Sequence, residues 1–207
     1  WDVLPLERMQ ITPTEQKEGE VTRNANFERA ETKATKAIQI HSMNIGGSEK
    51  NPQMDEAHLL LGKSRYYSQR FLPALEAFNY ILYKYSNSDK IYEAKVWREK
   101  TNIRLENEVL AIKNLKKLLE DQKIKGQVQA DANAILGQAY MNLGSIDSAL
   151  VNLKVAKDLT RHNEEKARYH FIIGQLYESL NYPDSAYASF QSVIDMNRRS
   201  PRRYVIQ

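Results

Sequence analysis

Leu59-Leu60-Leu61-Gly62, Asn133-Ala134-Ile135-Leu136-Gly137-Gln138-Ala139-Tyr140 and His170-Phe171-Ile172-Ile173-Gly174-Gln175-Leu176-Tyr177 carry one pattern three times. Each Gly is followed twelve residues later by an Ala: Gly62 by Ala74, Gly137 by Ala149, Gly174 by Ala186. Four residues beyond each Ala stands a bulky apolar residue, Phe78, Leu153 or Phe190. A weaker fourth copy keeps the register through Ala111 and Leu115, with Glu99 at the Gly position. Successive Ala residues are 37 (74 to 111), 38 (111 to 149) and 37 (149 to 186) positions apart. A fixed period of this size marks stacked supersecondary units. Gly inside a helix costs roughly 0.5–1 kcal/mol relative to Ala, so its recurrence implies a steric reason. Where two helices cross, a missing side chain lets the backbones approach, and the bulky residue fills the adjacent hole.

Composition agrees with helices. The 207 residues include 8 Gly and 6 Pro, about 7% together against the ~12% usual for the pair, so turn-rich all-β folds are disfavoured. No strand-like alternation is evident. There is no Cys, which excludes disulfide scaffolds, Cys-based zinc sites and thiol nucleophiles. The net charge of +4 is a mild bias and not a nucleic-acid signature. No apolar run approaches the ~18 residues of a membrane span. The chain opens on Trp1-Asp2-Val3 without Met or a leader-like segment, and is expected to be a piece of something longer.

The repeat sets the organisation. Residues 26–200 are predicted to form about 4.5 helix–turn–helix units, the first a half-unit in which Phe27, Ala30, Ala34 and Ala37 have second-helix spacing up to about Ser42. Ile45–Pro52 is expected to be an inserted loop. Residues 1–25 carry Pro5, Pro13 and Gly19 with Trp1, Val3, Leu4, Leu6, Met9 and Ile11; they are expected to be an extended lead-in that docks on the helices. Side-chain oxygens of Ser88 or Asp89, Asn107, Ser145 and Asn163 stand where helix N-caps are needed, and Pro73 and Pro183 fall in first turns. The last helix carries Ala186, Phe190 and Val193 on one stripe and Tyr187 and Ile194 on the next. That second stripe predicts a further unit, opened and cut short over residues 201–207.

The Gly-Ala-bulky pattern resembles the tetratricopeptide repeat, a helix–turn–helix unit of about 34 residues. The implied fold is all-α, a right-handed α-solenoid of tetratricopeptide-like repeats. The period here is three residues longer, and Ser86 stands where Pro commonly ends a unit. By that resemblance, five positions of each first helix line the concave face. They are Glu56, Leu59, Lys63, Tyr66 and Tyr67 in the first unit; Glu93, Val96, Lys100, Ile103 and Arg104 in the second. The third gives Asp131, Ala134, Gln138, Met141 and Asn142, and the fourth Arg168, Phe171, Gln175, Glu178 and Ser179. Candidate partner-binding residues are Lys63, Tyr66, Tyr67, Lys100, Arg104, Gln138, Asn142 and Gln175. Modules that clamp a partner's C-terminal carboxylate place Lys at the second of these positions; Leu59, Val96, Ala134 and Phe171 stand there, so that clamp is missing.

Signs of catalysis do not hold. Leu61-Gly62-Lys63-Ser64 ends like a phosphate-binding loop, but Ala57 replaces the first Gly and the segment is helical, so its N–H groups are spent. His41, His58, His162 and His170 show no pair spaced for a metal on one helix face. No G-x-S-x-G frames a nucleophile. The tail Arg198-Arg199-Ser200-Pro201-Arg202-Arg203 could bind phosphates but suits a helix C-terminus electrostatically just as well, and nothing interleaves aromatics with cations in the way a single-strand binder needs. The chain is expected to be no enzyme and to need no cofactor or metal, and its partners are expected to be proteins, not nucleic acid.

A more specific likeness rests on Phe27-Glu28-Arg29-Ala30, Lys36-Ala37-Ile38, His41-Ser42-Met43, Asp55 to Tyr67, Gln69 to Ile81 and Val96 to Glu108. These stretches resemble the PorW/SprE tetratricopeptide lipoproteins of Bacteroidota, from about residue 26 onward. The resemblance implies a lipid-anchored protein at the periplasmic face of the outer membrane, linking parts of the type IX secretion and gliding machinery. The anchor lies outside this chain, and the family supplies no catalytic residues. The alternative is a cytosolic tetratricopeptide adaptor that recruits a peptide or partner protein.

Overall fold

The computed structural model describes residues 24–196 and Tyr204. The expected lead-in over 1–25 and the cut-short unit over 201–207 therefore lie outside the described residues, except for Asn24, Ala25 and Tyr204. The described elements are α1 (Ala25–His41), β1 (Asn44–Ile45), β2 (Ser48–Glu49), α2 (Met54–Tyr67), α3 (Phe71–Lys84), α4 (Ile91–Arg104), α5 (Glu108–Leu119), α6 (Gly126–Asn142), α7 (Ile146–Leu159), α8 (Asn163–Ser179) and α9 (Pro183–Asp195). They divide into two compact bodies, residues 24–107 and residues 108–196 with Tyr204.

The repeat is written into the backbone as well as the side chains. Gln69, Glu106, Gly144 and Asn181 all take positive φ, between 59° and 71°, at intervals that follow the Ala repeat. Each closes a first helix in the same way. The N–H of the next residue donates to a carbonyl five positions back: Arg70 to Arg65, Asn107 to Asn102, Ser145 to Tyr140, Tyr182 to Tyr177, each at 2.9 Å. The left-handed residue itself donates three positions back. This end motif satisfies carbonyls that a helix C-terminus otherwise leaves without donors.

The same joint explains why the cap expected at Ser145 is not formed. Arg70, Ser145 and Tyr182 begin the second helices with ψ of 72°, 69° and 76°, and none makes a side-chain cap hydrogen bond. A capping hydroxyl is aimed by an extended backbone, and here the tight joint fixes another conformation. Asn163 lies inside α8 rather than before it. Ser88 does contribute, its Oγ accepting from Lys90 N at 2.9 Å, but Lys90 is the residue that precedes α4.

In the N-terminal body, α1 packs on α2, α2 on α3 and α3 on α4. Leu59, Tyr66, Ala74, Phe78, Ile81 and Ala94 form its buried core, ringed by Phe71, Leu82, Tyr85 and Trp97. Gly62 is the crossing point: a Cβ there would lie 2.8 Å from Cδ1 and Cζ of Phe78, a ring that is fully buried. The stretch expected to be a plain loop instead holds a small hairpin, with Asn44 opposite Glu49 and Ile45 opposite Ser48. Gly46 and Gly47 turn it with φ of 59° and 79°, the conformation that two-residue hairpin loops need and that Gly supplies.

In the C-terminal body, α5 packs on α6, α6 on α7, α7 on α8 and α8 on α9. Gly137 meets Leu153, whose Cγ would be 2.9 Å from an added Cβ, and Gly174 meets Phe190, whose Cδ1 would be 2.8 Å away. Leu115, Leu153, Ile172, Leu176 and Val193 are among its fully buried side chains. Tyr204 is 4% exposed and packs with Ala167, Phe171 and Val193. A polar pin at the start of α6 was not legible in the sequence. The Gln127 amide donates to Asp131 and to Glu165, both at 2.8 Å, and accepts from Arg161 N at 3.0 Å.

Candidate partner-binding face

The candidate residues fall into two groups, each within one body. Lys63, Tyr66 and Tyr67 lie on α2, while Lys100 and Arg104 lie on α4; Gln138 and Asn142 lie on α6 and Gln175 on α8. Spacings of three and four residues put the members of each set on one helix face.

In the N-terminal body the organising group is Trp97, which the repeat register passes over because it stands one position after the inward-facing Val96. Its half-buried ring stacks on Phe78 at 6.1 Å and meets Tyr66 and Tyr67 edge-on at 5.5 and 5.7 Å. Two ammonium groups lie over it, Lys100 Nζ at 4.4 Å and Lys63 Nζ at 5.1 Å from the ring centre. Lys100 is also 5.3 Å from the Tyr66 ring, and the Arg104 guanidinium is 5.0 Å from the Phe71 ring. The electron-rich ring faces attract these cations and hold them in place without burying their charge. Lys63 also pairs with Glu93 at 2.5 Å. On the other side Tyr67 stacks on Phe27, in the first turn of α1, at 5.3 Å and 16°.

Not every named residue faces outward. Tyr66 is only 4% exposed, so it is the floor beneath the cations rather than a surface contact. Leu59, Val96 and Ile103 are buried too. Tyr67 is 39% exposed and, with Trp97, Lys63, Lys100 and Arg104, forms the accessible layer.

The C-terminal body offers different chemistry at the matching positions. Gln138 Nε2 donates to Asn142 Oδ1 at 2.6 Å, and Asn142 Nδ2 donates to Glu108 at 2.9 Å. Ala134 and Phe171 are buried, Gln175 is half-buried, and Arg168 Nη1 donates to the Tyr204 hydroxyl at 2.6 Å.

The histidines lie apart from both groups. His58 is held between Tyr80 and Tyr85, at 4.5 and 5.8 Å, and burial followed by the nearby Arg65 charge lowers its pKa. Burial, with Lys157 and Lys166 adding to it, lowers His170 to about 4. Glu49 anchors the hairpin by accepting from the Ser42 hydroxyl at 2.5 Å and from Met43 N and Asn51 N at 2.7 and 2.9 Å. Those donors, Ser42 foremost, hold its carboxyl down at about 2. Gly62, Lys63 and Ser64 are interior residues of α2, where Ser64 Oγ donates to Leu61 O at 2.9 Å, so no phosphate cradle exists there. Among the described residues no three His, Asp or Glu side chains converge as a metal site, and no described helix is long and apolar enough to cross a membrane.

Comparison with known proteins places this geometry. Residues 167–200 match the tetratricopeptide repeat family profile. The crystal structure of MamA is 21% identical, with 84% of this chain and 90% of that chain covered and a TM-score of 0.58. BtubC from P. vanneervenii is 17% identical over 84% of this chain and 74% of its own, with a TM-score of 0.70. The Cut9-Hcn1 hetero-tetramer of APC/C gives 15% identity over 83% of this chain and 30% of that chain, with a TM-score of 0.63. No curated protein matches the chain in sequence. The fold is therefore an all-α solenoid of tetratricopeptide-like repeats, and residues 167–200 match that repeat in sequence as well.

Proposed function

We propose that this chain is a non-enzymatic scaffold that docks a partner protein on the Lys63–Trp97–Lys100 face of its N-terminal body. The carrying observation is the layer of two ammonium groups over one tryptophan, flanked by Tyr67 and Arg104. Rigid aromatics and Arg are the residues in which interface energy concentrates. Cations fixed over rings select a partner segment that brings carboxylates, with an aromatic or apolar side chain to cover Tyr67. The resemblance to PorW/SprE lipoproteins supports a place at the periplasmic face of the outer membrane, within the type IX secretion and gliding machinery. On that reading the partners are secretion-machine components, and membrane attachment is through a lipid anchor outside the chain. The second reading, a cytosolic adaptor, keeps the same face and changes only the compartment; fractionation of cells expressing the full-length protein separates the two.

The face is tested with Lys100→Glu/Arg104→Glu. The groups are partly exposed, and exposed pairings of this kind contribute only about 0–1 kcal/mol, so the melting curve should move little. Anisotropy of a fluorescein-labelled peptide of Glu and Tyr should show at least about a tenfold loss of affinity, equivalent to about 1.4 kcal/mol. Pull-down of outer-membrane translocon components should be lost in parallel. Unchanged peptide affinity in a folded variant refutes the face.

A further inference from the structure

The second helices α5 and α7 of the C-terminal body present matching positions to solvent. Counted from the repeat alanines Ala111 and Ala149, the second position is Lys113 or Val151, the fifth Lys116 or Lys154, and the sixth Lys117 or Val155. All six side chains are exposed. The lysine at the fifth position lies over a tyrosine of the next helix. Lys116 Nζ is 5.6 Å from the centre of the Tyr140 ring on α6, and Lys154 Nζ is 5.1 Å from that of Tyr177 on α8. Both rings are half-buried, and each stands three residues after a crossing glycine, Gly137 or Gly174. At the fifth position α3 and α9 carry Asn79 and Gln191, so the cation over a ring belongs to these two successive units alone.

Neither stripe adds to the stability of the body. Lys113 and Lys117 are one turn apart on α5 with Lys116 beside them, and like charges at that spacing destabilise a helix. The five lysines of α5 and α7 stand against three acids, and each acid is engaged elsewhere. Glu108 accepts from Asn142, Asp158 pairs with Lys157 at 3.0 Å, and Asp147 sits in the first turn of α7, where the helix dipole favours it. Among the described residues no carboxylate pairs with Lys113, Lys116, Lys117 or Lys154. Val151 and Val155 are 63% and 38% exposed; β-branched residues are poorer helix formers than Ala or Leu, and these two gain little from burial. Both helices pack on α6, so the cationic stripe and the aliphatic one are neighbours one repeat apart.

We propose that this surface docks an acidic amphipathic helix of a partner protein, as a second interaction surface independent of the Lys63–Trp97–Lys100 face. Carboxylates at three- and four-residue spacing on that helix match Lys113, Lys116 and Lys117, and its apolar edge covers Val151 and Val155. The charges are complementary, which supplies both register and rate of encounter. Lys116 and Lys154 are the fixed points: their ring contacts already restrict rotamers that binding would otherwise have to freeze. An anionic membrane is the poorer fit. Interfacial helices insert Trp, Phe or Leu, whereas α7 offers two valines, with Asp147 and Asp158 on the same helix.

The probe is a fluorescein-labelled helical peptide of Glu, Leu and Ala with its glutamates on one face, used beside a peptide of the same composition in scrambled order. With the full chain, anisotropy should show the amphipathic peptide binding about tenfold or more tighter than the scrambled one. Lys116→Glu/Lys154→Glu should abolish that preference and Val151→Ser/Val155→Ser should reduce it, while Lys100→Glu/Arg104→Glu should leave it intact. Circular dichroism checks that each variant keeps its helices, and Lys116→Gln/Lys154→Gln repeats the measurement should charge reversal disturb the fold. Equal binding of the two peptides overturns the proposal, as does a preference that survives the lysine variants. Loss of the preference in Lys100→Glu/Arg104→Glu overturns it too, by moving the helix to the other face. Lysine-dependent binding of phosphatidylglycerol vesicles by a chain that ignores the amphipathic peptide would assign the surface to a membrane instead.

Discussion

The same repeat positions hold cations over aromatic rings in the N-terminal body and self-paired amides in the C-terminal body. In the first, the positions equivalent to Gln138 are Lys63 and Lys100, both over Trp97. In the second, Gln138 donates to Asn142 and Asn142 to Glu108, so the donors and acceptors are already used locally. The backbone joints are alike in the two bodies, down to the left-handed residue and the 2.9 Å bond after it. The scaffold is therefore held constant while the chemistry on it changes, which is why the docking face is assigned to one body and not to the repeat as such.

The contrast is sharpest at the crossing position. Gly137 in the C-terminal body has its counterpart in Glu99 of the N-terminal body, which is 1% exposed. Its carboxylate binds the Arg98 guanidinium at 2.5 and 2.6 Å and accepts from Asn102 Nδ2 at 2.7 Å. Removing Glu99 strands the half-buried Arg98 guanidinium and the buried Asn102 amide. Glu99→Ala should destabilise by about 3 kcal/mol, the largest single effect expected here, read as a shift of the urea midpoint. A variant as stable as the parent would show that the pair is solvated and that the position tolerates any residue.

Next in size are the true crossings, which differ in what opposes the glycine. At Gly62 an added methyl would meet three atoms of the rigid Phe78 ring closer than 3.0 Å, while at Gly137 only Cγ of the equally buried Leu153 would lie that close, at 2.9 Å. Gly62→Ala should cost about 1–3 kcal/mol. Gly137→Ala should cost less, and Gly137→Leu should bring the cost back to about 1–3 kcal/mol. Equal melting temperatures for Gly62→Ala and Gly137→Ala would remove the distinction between ring and aliphatic crossings.

These positions also show what the sequence made legible. Gly, Ala and the bulky residue four further on have obligatory spacing, because helix crossings have fixed geometry, and so the hairpins and their contacts were readable. Trp97 was not, because its role depends on which ring lies beneath it and not on repeat register. Tyr66 was read as displayed for the converse reason: its position faces inward, but the rings of Tyr67, Phe71 and Trp97 and the Lys100 ammonium cover it. The Gly46-Gly47 hairpin carried a readable turn signal, yet strands of two residues give no alternation to detect. Gln127, Asp131 and Glu165 look like ordinary surface polar residues until α6 and α8 bring them within 2.8 Å.

The two bodies each hold a half-buried His with a lowered pKa, His58 and His170. A His that stays neutral in the fold is protonated first in the unfolded chain, so the unfolded state binds more protons below about pH 6.5. Stability is then complete above pH 6.5 and falls as the pH drops toward about 4, the value for His170. His170→Gln should flatten the fall in melting temperature between pH 6.5 and 4 more than His58→Gln does. Partial exposure of both rings keeps the effect modest. A rise in stability on acidification through that window would contradict the sign.

The smallest expected effects lie in the joints that make the bodies alike. Gly144 takes φ of 71° at no steric cost, whereas Gln69 and Glu106 occupy the same left-handed conformation with φ of 59° and 60°. A side chain there brings Cβ close to the following carbonyl oxygen, at about 1 kcal/mol. Asn181, at 61°, belongs to the residue types that tolerate the region better. Gln69→Gly and Glu106→Gly should therefore each raise stability by up to about 1 kcal/mol, less the extra freedom Gly gains in the unfolded chain. Gly144→Ala should lower it by about the same amount, and Asn181→Gly should change it least. The order Gln69 and Glu106 above Asn181, with Gly144 opposite in sign, is measurable by chemical denaturation of the four variants. If all four shift stability alike, the joints are set by tertiary packing rather than by the left-handed residue, and the likeness between the bodies has another cause.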